Sequence, residues 1–110
     1  MDKQIKKYLF DILQSIESIE GFLGNDRDFS FFQQNRLLRR GIERELEIIG
    51  EATNRILKID EQVLISSARQ IVNTRNLIIH SYDSVADEII WSIVVRHLPI
   101  LKKEVQELLD

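Results

Sequence analysis

The sequence predicts an all-α fold, an antiparallel four-helix bundle with a short C-terminal fifth helix. Helix-breaking residues are scarce, with 4 glycines and 1 proline in 110 residues. In several long segments, apolar residues recur at the three- and four-residue steps of an amphipathic helix, and strand-like alternation is absent. Such helices bury their apolar stripes by packing against one another. We expect one domain over residues 1–110.

The first two helices are predicted from apolar stripes and from the turn residues between them. The first helix should end at the turn sequence 24–26, Gly-Asn-Asp. Asp28 or Ser30 can cap the second, which we predict from about Phe31 to Leu57. The stripe of the first helix is Ile5, Leu9, Ile12, Ile16, Ile19 and Leu23, and that of the second is Leu38, Ile42, Leu46, Ile49, Thr53 and Ile56.

Two glycines, Gly41 and Gly50, interrupt the second predicted helix. Each costs a helix about 1 kcal/mol relative to alanine. Such glycines indicate that another helix packs closely at these positions.

The third and fourth helices are separated by a polar segment. Asp60 can cap the third helix, which is predicted to run into residues 75–82, RNLIIHSY. Ser84 and Asp87 have the spacing of a capping box, so the fourth helix should begin near Val85.

Two features of the C-terminal half extend this prediction. Pro99 lacks a backbone donor and clashes one turn back, so it should kink the fourth helix or begin a fifth over residues 100–109. Between Ile65 and Ile93 the aliphatic residues occupy more than one narrow stripe. A chain this small is not expected to cover them all, which predicts a homodimer.

Composition limits the classes of function. With 15 basic and 18 acidic residues, the net charge is −3. This charge argues against a protein that coats nucleic acid or membranes nonspecifically, but it permits a small basic cleft. The absence of cysteine excludes disulfides and thiolate metal sites. No apolar run reaches the length of a signal peptide or a membrane span, so we expect a cytoplasmic protein.

The segment 75–82 contains the strongest candidates for a functional site. Asn76 and His80 are four residues apart and share a helix face. Arg75 and His80 point about 140° apart on an ideal helix. They can meet if the helix loosens near His80, or if two chains form one composite cleft across a two-fold axis. The competing interpretation is a solvated helix end, where the helix dipole favours basic residues.

These residue types suit the cleavage of RNA without a metal. Histidine has an ordinary pKa of about 6.5 and can take a proton from the 2′-hydroxyl. The planar guanidinium of Arg75 matches two phosphate oxygens. Asn76 can hold a substrate oxygen or orient the imidazole, and Tyr82 can stack on a base or donate a hydrogen bond to phosphate.

The segment 75–82, with Arg75, Asn76, His80 and Tyr82, resembles the signature of the HepT-like branch of the HEPN superfamily. The proteins of this branch are small all-helical toxins. The resemblance continues in order along the chain from about Asp28 to the C-terminus. Its further parts are Arg40 ahead of Glu43, the segment Gly50-Glu51-Ala52, the pair Ile90-Trp91, and the ending Leu98-Pro99-Ile100-Leu101. The family often has a proline and a tryptophan between positions 59 and 74, and this sequence has neither there.

The resemblance implies a HEPN-like homodimer that acts as a metal-independent endoribonuclease in a type VII-like toxin–antitoxin system. The catalytic residues would be Arg75 and His80, with Asn76 and Arg40 in support, and no metal or cofactor is implied. A minimal nucleotidyltransferase antitoxin would be the partner, and it would silence the toxin by transferring AMP to Tyr82. Glu51 is either a partner of this cluster or a solvated or capping carboxylate.

Two other hypotheses remain open from the sequence. The chain could be a non-catalytic helical dimer that binds nucleotide, RNA or a nucleotidyltransferase partner, or it could be a purely structural interaction domain. Expression of the chain beside its Arg75 and His80 variants distinguishes them.

Overall fold

The computed structural model describes residues 1–25, 27–80 and 84–110, and for residues 79, 80 and 84–86 it describes the backbone only. Within these ranges the chain is helical and contains no strand, which confirms the predicted all-α class. The helices are α1 (Lys3–Leu23), α2 (Phe29–Gln34), α3 (Arg36–Ile59), α4 (Ala68–His80), α5 (Ser84–Ser92) and α6 (Leu98–Leu109), with a π-helical turn at Ile93–His97.

The central element is α3, which packs against α1 on one side and α4 on the other, while α6 also packs against α1. The first predicted helix is confirmed, since α1 ends at Leu23 and Gly24 follows with a φ of 57°. A left-handed residue at this position suits glycine. The buried core contains every residue of the two predicted stripes except Thr53, which is also buried but polar.

The second predicted helix is interrupted, so its single span from Phe31 to Leu57 is wrong. A short helix α2 precedes α3, and the backbone at Asn35 between them is extended. The Asn35 side-chain oxygen accepts a hydrogen bond from the backbone N–H of Leu38 at 3.0 Å and caps α3. Asp28 caps α2 by accepting from the backbone N–H of Ser30 at 3.2 Å.

The predicted start of the third helix at Asp60 is also wrong, because the helix begins eight residues later, at Ala68. Asp60 instead ends α3, and its carboxylate accepts from the backbone N–H of Gln62 at 2.9 Å. The connection 60–67 is attached to α6, because the Glu104 carboxylate of α6 accepts a hydrogen bond from the Ser66 hydroxyl at 2.6 Å. This connection is the first part of the stretch between positions 59 and 74 in which the sequence lacks the proline and tryptophan of the family that it resembles.

The C-terminal helices agree with the predictions from Pro99 and from the capping-box spacing. Helix α5 begins at Ser84, one residue before the predicted start, and α6 follows the π-helical turn. In that turn the backbone N–H of Leu98 donates to the carbonyl of Ile93. This turn contains one residue more than an α-helical turn, and the wider turn accommodates Pro99 in the first turn of α6.

Both helical glycines of α3 lie at close packing contacts, as predicted. A β-carbon at Gly50 would lie 3.0 Å from the backbone oxygen of Ile71 in α4. At Gly41 the nearest atom would be on the ring of Phe22 in α1, at 3.2 Å. The neighbour of Gly50 is therefore helix backbone, whereas the neighbour of Gly41 is a side chain.

Several large apolar side chains remain exposed on the single chain. Leu64 is 82% exposed and Ile89 is 46% exposed, and both lie in or beside the C-terminal half in which we expected excess apolar surface. The homodimer itself stays a prediction. Among the helices of the described ranges, none combines the length and the apolar character that crossing a membrane requires.

Candidate active site

The candidate site begins with Arg75, which α4 presents toward α3. Its guanidinium donates a hydrogen bond from Nη1 to the Oε2 atom of Glu51 in α3. Gly50 permits the close approach of α4 that brings Arg75 to Glu51, because a β-carbon there would lie 3.0 Å from the backbone oxygen of Ile71. The side chain of Arg75 is 30% exposed, so it lies at the surface within reach of a ligand.

Glu51 also accepts a hydrogen bond from a second arginine. One turn further along α3, Arg55 Nε lies 3.0 Å from Oε1 of Glu51. The hydrogen bond from Arg55, assisted by that from Arg75, lowers the pKa of the Glu51 carboxyl, and partial desolvation opposes this effect. Glu51 is thus an ionised carboxylate shared by two guanidinium groups, one on each oxygen.

The other predicted site residues are placed with less detail. Asn76 lies beside Arg75 on α4 and is exposed. His80 is the last residue of α4, and its side chain lies outside the described residues, as does Tyr82 altogether. The structure therefore brings together Arg75 and Glu51, and the positions of the His80 and Tyr82 side chains stay predictions.

Arg40 does not lie with this pair. It is eleven positions before Glu51 in α3, which corresponds to about 16 Å along the helix. Its guanidinium is 3.7 Å from the Glu43 carboxylate, and its side chain is 67% exposed. Burial raises the pKa of the Glu43 carboxyl, Arg40 opposes this, and the charge of Asp87 in α5 raises it further. Arg40 thus pairs with the Glu43 carboxylate, whose charge also interacts with that of Asp87 in α5.

Arg55 is the site residue that the sequence did not reveal. The four-residue spacing from Glu51 to Arg55 was the available signal, because residues at this spacing pair on a helix surface. Such pairs are frequent on exposed helices, and only the packing of α4 shows that this one reaches Arg75.

Comparison with known families matches residues 12–108 to the family described as Ribonuclease HepT-like. The chain belongs to the HepT-like family. This confirms the resemblance to the HEPN superfamily inferred from the motifs, and it establishes a ribonuclease assignment at the level of the family.

Individual relatives agree with this HepT-like assignment. A protein of Methanocaldococcus jannaschii, named by inference as an RNase, is 34% identical over 94% of this chain and 95% of its own length. A Caldanaerobacter subterraneus protein named in the same way is 34% identical over 98% of this chain and 96% of its own. A Thermococcus cleftensis protein, named by inference as ribonuclease HepT, is 31% identical over 98% of both chains. No solved structure matches the chain.

Proposed function

We propose that this HepT-like chain is a metal-independent endoribonuclease whose catalytic residues are Arg75 and His80. The observation that carries the proposal is the placement of Arg75, which lies five residues before His80 on α4. The Glu51 carboxylate of α3 holds its guanidinium at the surface. The match to the ribonuclease HepT-like family supports the choice of RNA as substrate.

The proposed reaction is an internal transfer at a phosphodiester. His80 takes the proton of the 2′-hydroxyl, and the 2′-oxygen forms a new bond to phosphorus. The bond from phosphorus to the 5′-oxygen breaks, and that oxygen leaves with a proton from a protonated imidazole. The products are a 2′,3′-cyclic phosphate and a 5′-hydroxyl. Arg75 donates to the phosphate oxygens and stabilises the charge that they gain in the transition state.

Glu51 and Asn76 support these two residues. Glu51 contacts Arg75, and its negative charge disfavours contact with a phosphate, so we assign it as a positioning residue for the guanidinium. Asn76 is exposed beside Arg75, where its amide can bind a ribose or phosphate oxygen. Arg40 lies too far along α3 to share this task and would contact only a more distant part of the RNA.

The active form is proposed to be a homodimer with the two segments 75–82 facing each other across the two-fold axis. Arg75 and the backbone of His80 lie on one helix, on which their side chains would diverge by about 140°. Because of this divergence, a histidine and an arginine from different chains can approach one phosphate more readily than the two of a single chain. The exposed Ile89 is consistent with an apolar surface covered by a second copy.

The proposed biological role is that of a toxin in a type VII-like toxin–antitoxin pair, with a minimal nucleotidyltransferase as the antitoxin. That partner would transfer AMP to Tyr82, two residues after His80. A bulky anion at this position would block RNA both sterically and by charge repulsion.

Expression of the chain alone tests the ribonuclease function. We expect wild-type expression to arrest growth and fragment cellular RNA, and the purified protein to cleave RNA in the presence of EDTA. His80→Ala and Arg75→Ala should be inactive while remaining folded with the same oligomeric state. A folded wild-type dimer as inert as both variants would overturn the proposal and favour a non-catalytic binding module.

The regulatory role of Tyr82 has a separate test. If a minimal nucleotidyltransferase is encoded beside this gene, as the proposal requires, its co-expression should add the mass of AMP to the chain, and Tyr82→Phe should abolish the addition. Peptide mass spectrometry locates the modified residue. An unchanged mass, or AMP on another residue, would contradict this assignment.

A further inference from the structure

Arg55 and Arg75 divide the Glu51 carboxylate between them. Arg75 reaches Oε2 through Nη1, and Arg55 reaches Oε1 through Nε. Arg55 belongs to no part of the motif, and it lines a groove between α1 and α3 together with Tyr8 and Glu51. Arg55 can therefore influence Arg75 through the carboxylate that the two arginines share.

We propose that Arg55 is a positioning residue that keeps Arg75 attached to Glu51 by a single hydrogen bond. An arginine and a carboxylate favour a bidentate pair, in which two parallel N–H groups meet both oxygens. That pair would commit one edge of the Arg75 guanidinium to Glu51. Arg55 already donates to Oε1, and its positive charge opposes the approach of a second guanidinium nitrogen to that oxygen. The arrangement thus leaves more of the five N–H donors of Arg75 for a phosphate.

A tyrosine of α1 lines the same groove as Arg55. Tyr8 is half-buried and packs against the core, so its ring is fixed by the fold. The neighbouring Tyr8 hydroxyl, together with the Glu51 carboxylate, raises the pKa of the Arg55 guanidinium. The observed hydrogen bonds Arg55–Glu51–Arg75 thus link α3 to the proposed catalytic arginine on α4, beside the groove that Tyr8 of α1 lines.

This inference rests on the proposed function for its kinetic test, which uses Arg55→Ala. We expect the variant to lower kcat for a fluorescently labelled mixed-sequence RNA by about tenfold, since misplaced catalytic groups cost one to two orders of magnitude. KM should change little, because Arg55 does not touch RNA in this scheme. In a Glu51→Gln background Arg55→Ala should have no further effect, and Arg55→Lys should restore part of kcat.

Arg44→Ala is the matched control. Arg44 lines the same groove and pairs with Glu47 on the same helix at 3.3 Å, but its carboxylate partner is not the one that holds Arg75. Arg44→Ala removes the same positive charge as Arg55→Ala and should leave kcat unchanged. Equal kcat for Arg55→Ala and Arg44→Ala, or an undiminished effect of Arg55→Ala in the Glu51→Gln background, would overturn the inference.

Crystal structures of the full-length wild type and Arg55→Ala provide a test that does not depend on activity. The wild type should show one nitrogen of Arg75 on Glu51, and the variant should show two. The same single contact in both would refute the positioning role even for an inactive protein. If the wild type proves inert while the contact changes as expected, the proposed nuclease fails and the structural inference stands.

Discussion

Arg75→Lys is expected to lower the rate of RNA cleavage by about a hundredfold or more, although the positive charge is kept. The reason is geometric. The guanidinium of Arg75 must donate to Glu51 through one nitrogen and to a phosphate through others, and its planar fork allows both at once. A lysine ammonium is a compact point charge, and one bound to Glu51 cannot also meet two phosphate oxygens in a plane.

Single-turnover kinetics on labelled RNA measures this effect, with circular dichroism and light scattering as checks of fold and assembly. Arg44→Lys is the control for an equivalent exchange at an exposed arginine that pairs with a different carboxylate, and it should retain the wild-type rate. A rate for Arg75→Lys within threefold of wild type would show that charge alone suffices, and it would contradict the role given to the guanidinium plane.

Gly50→Val should destabilise the protein by about 3 kcal/mol, the upper part of the range for overpacking a close contact. Even a β-carbon at this position would lie 3.0 Å from the backbone oxygen of Ile71. That oxygen belongs to α4 and cannot rotate away as a side chain would, so α3 and α4 must separate. The same separation would move Arg75 from Glu51, and cleavage should fall together with stability.

Urea unfolding followed by circular dichroism gives the free energy of unfolding for this variant. Gly21→Val is the matched control, since a β-carbon at Gly21 on α1 would meet nothing within 4 Å apart from its chain neighbours and the backbone of its own helix. It should be neutral or slightly stabilising, because valine has a higher helix propensity than glycine. Equal stability of the two variants would show that the contact between α3 and α4 yields without cost.

The sequence predicted the elements that depend on local periodicity and on turn chemistry. The apolar stripe of α1, the glycine that ends it and the effect of Pro99 were all readable from a few neighbouring residues. The prediction failed at Asn35 and Asp60, where a capping side chain serves either the start or the end of a helix. Asparagine and aspartate satisfy free backbone groups in both settings, so residue type alone does not distinguish the two.

The sequence by itself determined the helical class, the family and the positions of the arginine, asparagine and histidine along one segment. Only the tertiary structure decided that Glu51 belongs with Arg75 and that Arg55 shares it. Arg75 and Glu51 are 24 positions apart, and no periodic pattern connects residues on two different helices. Their contact depends on how closely α4 approaches α3, and the absence of a side chain at Gly50 sets that distance.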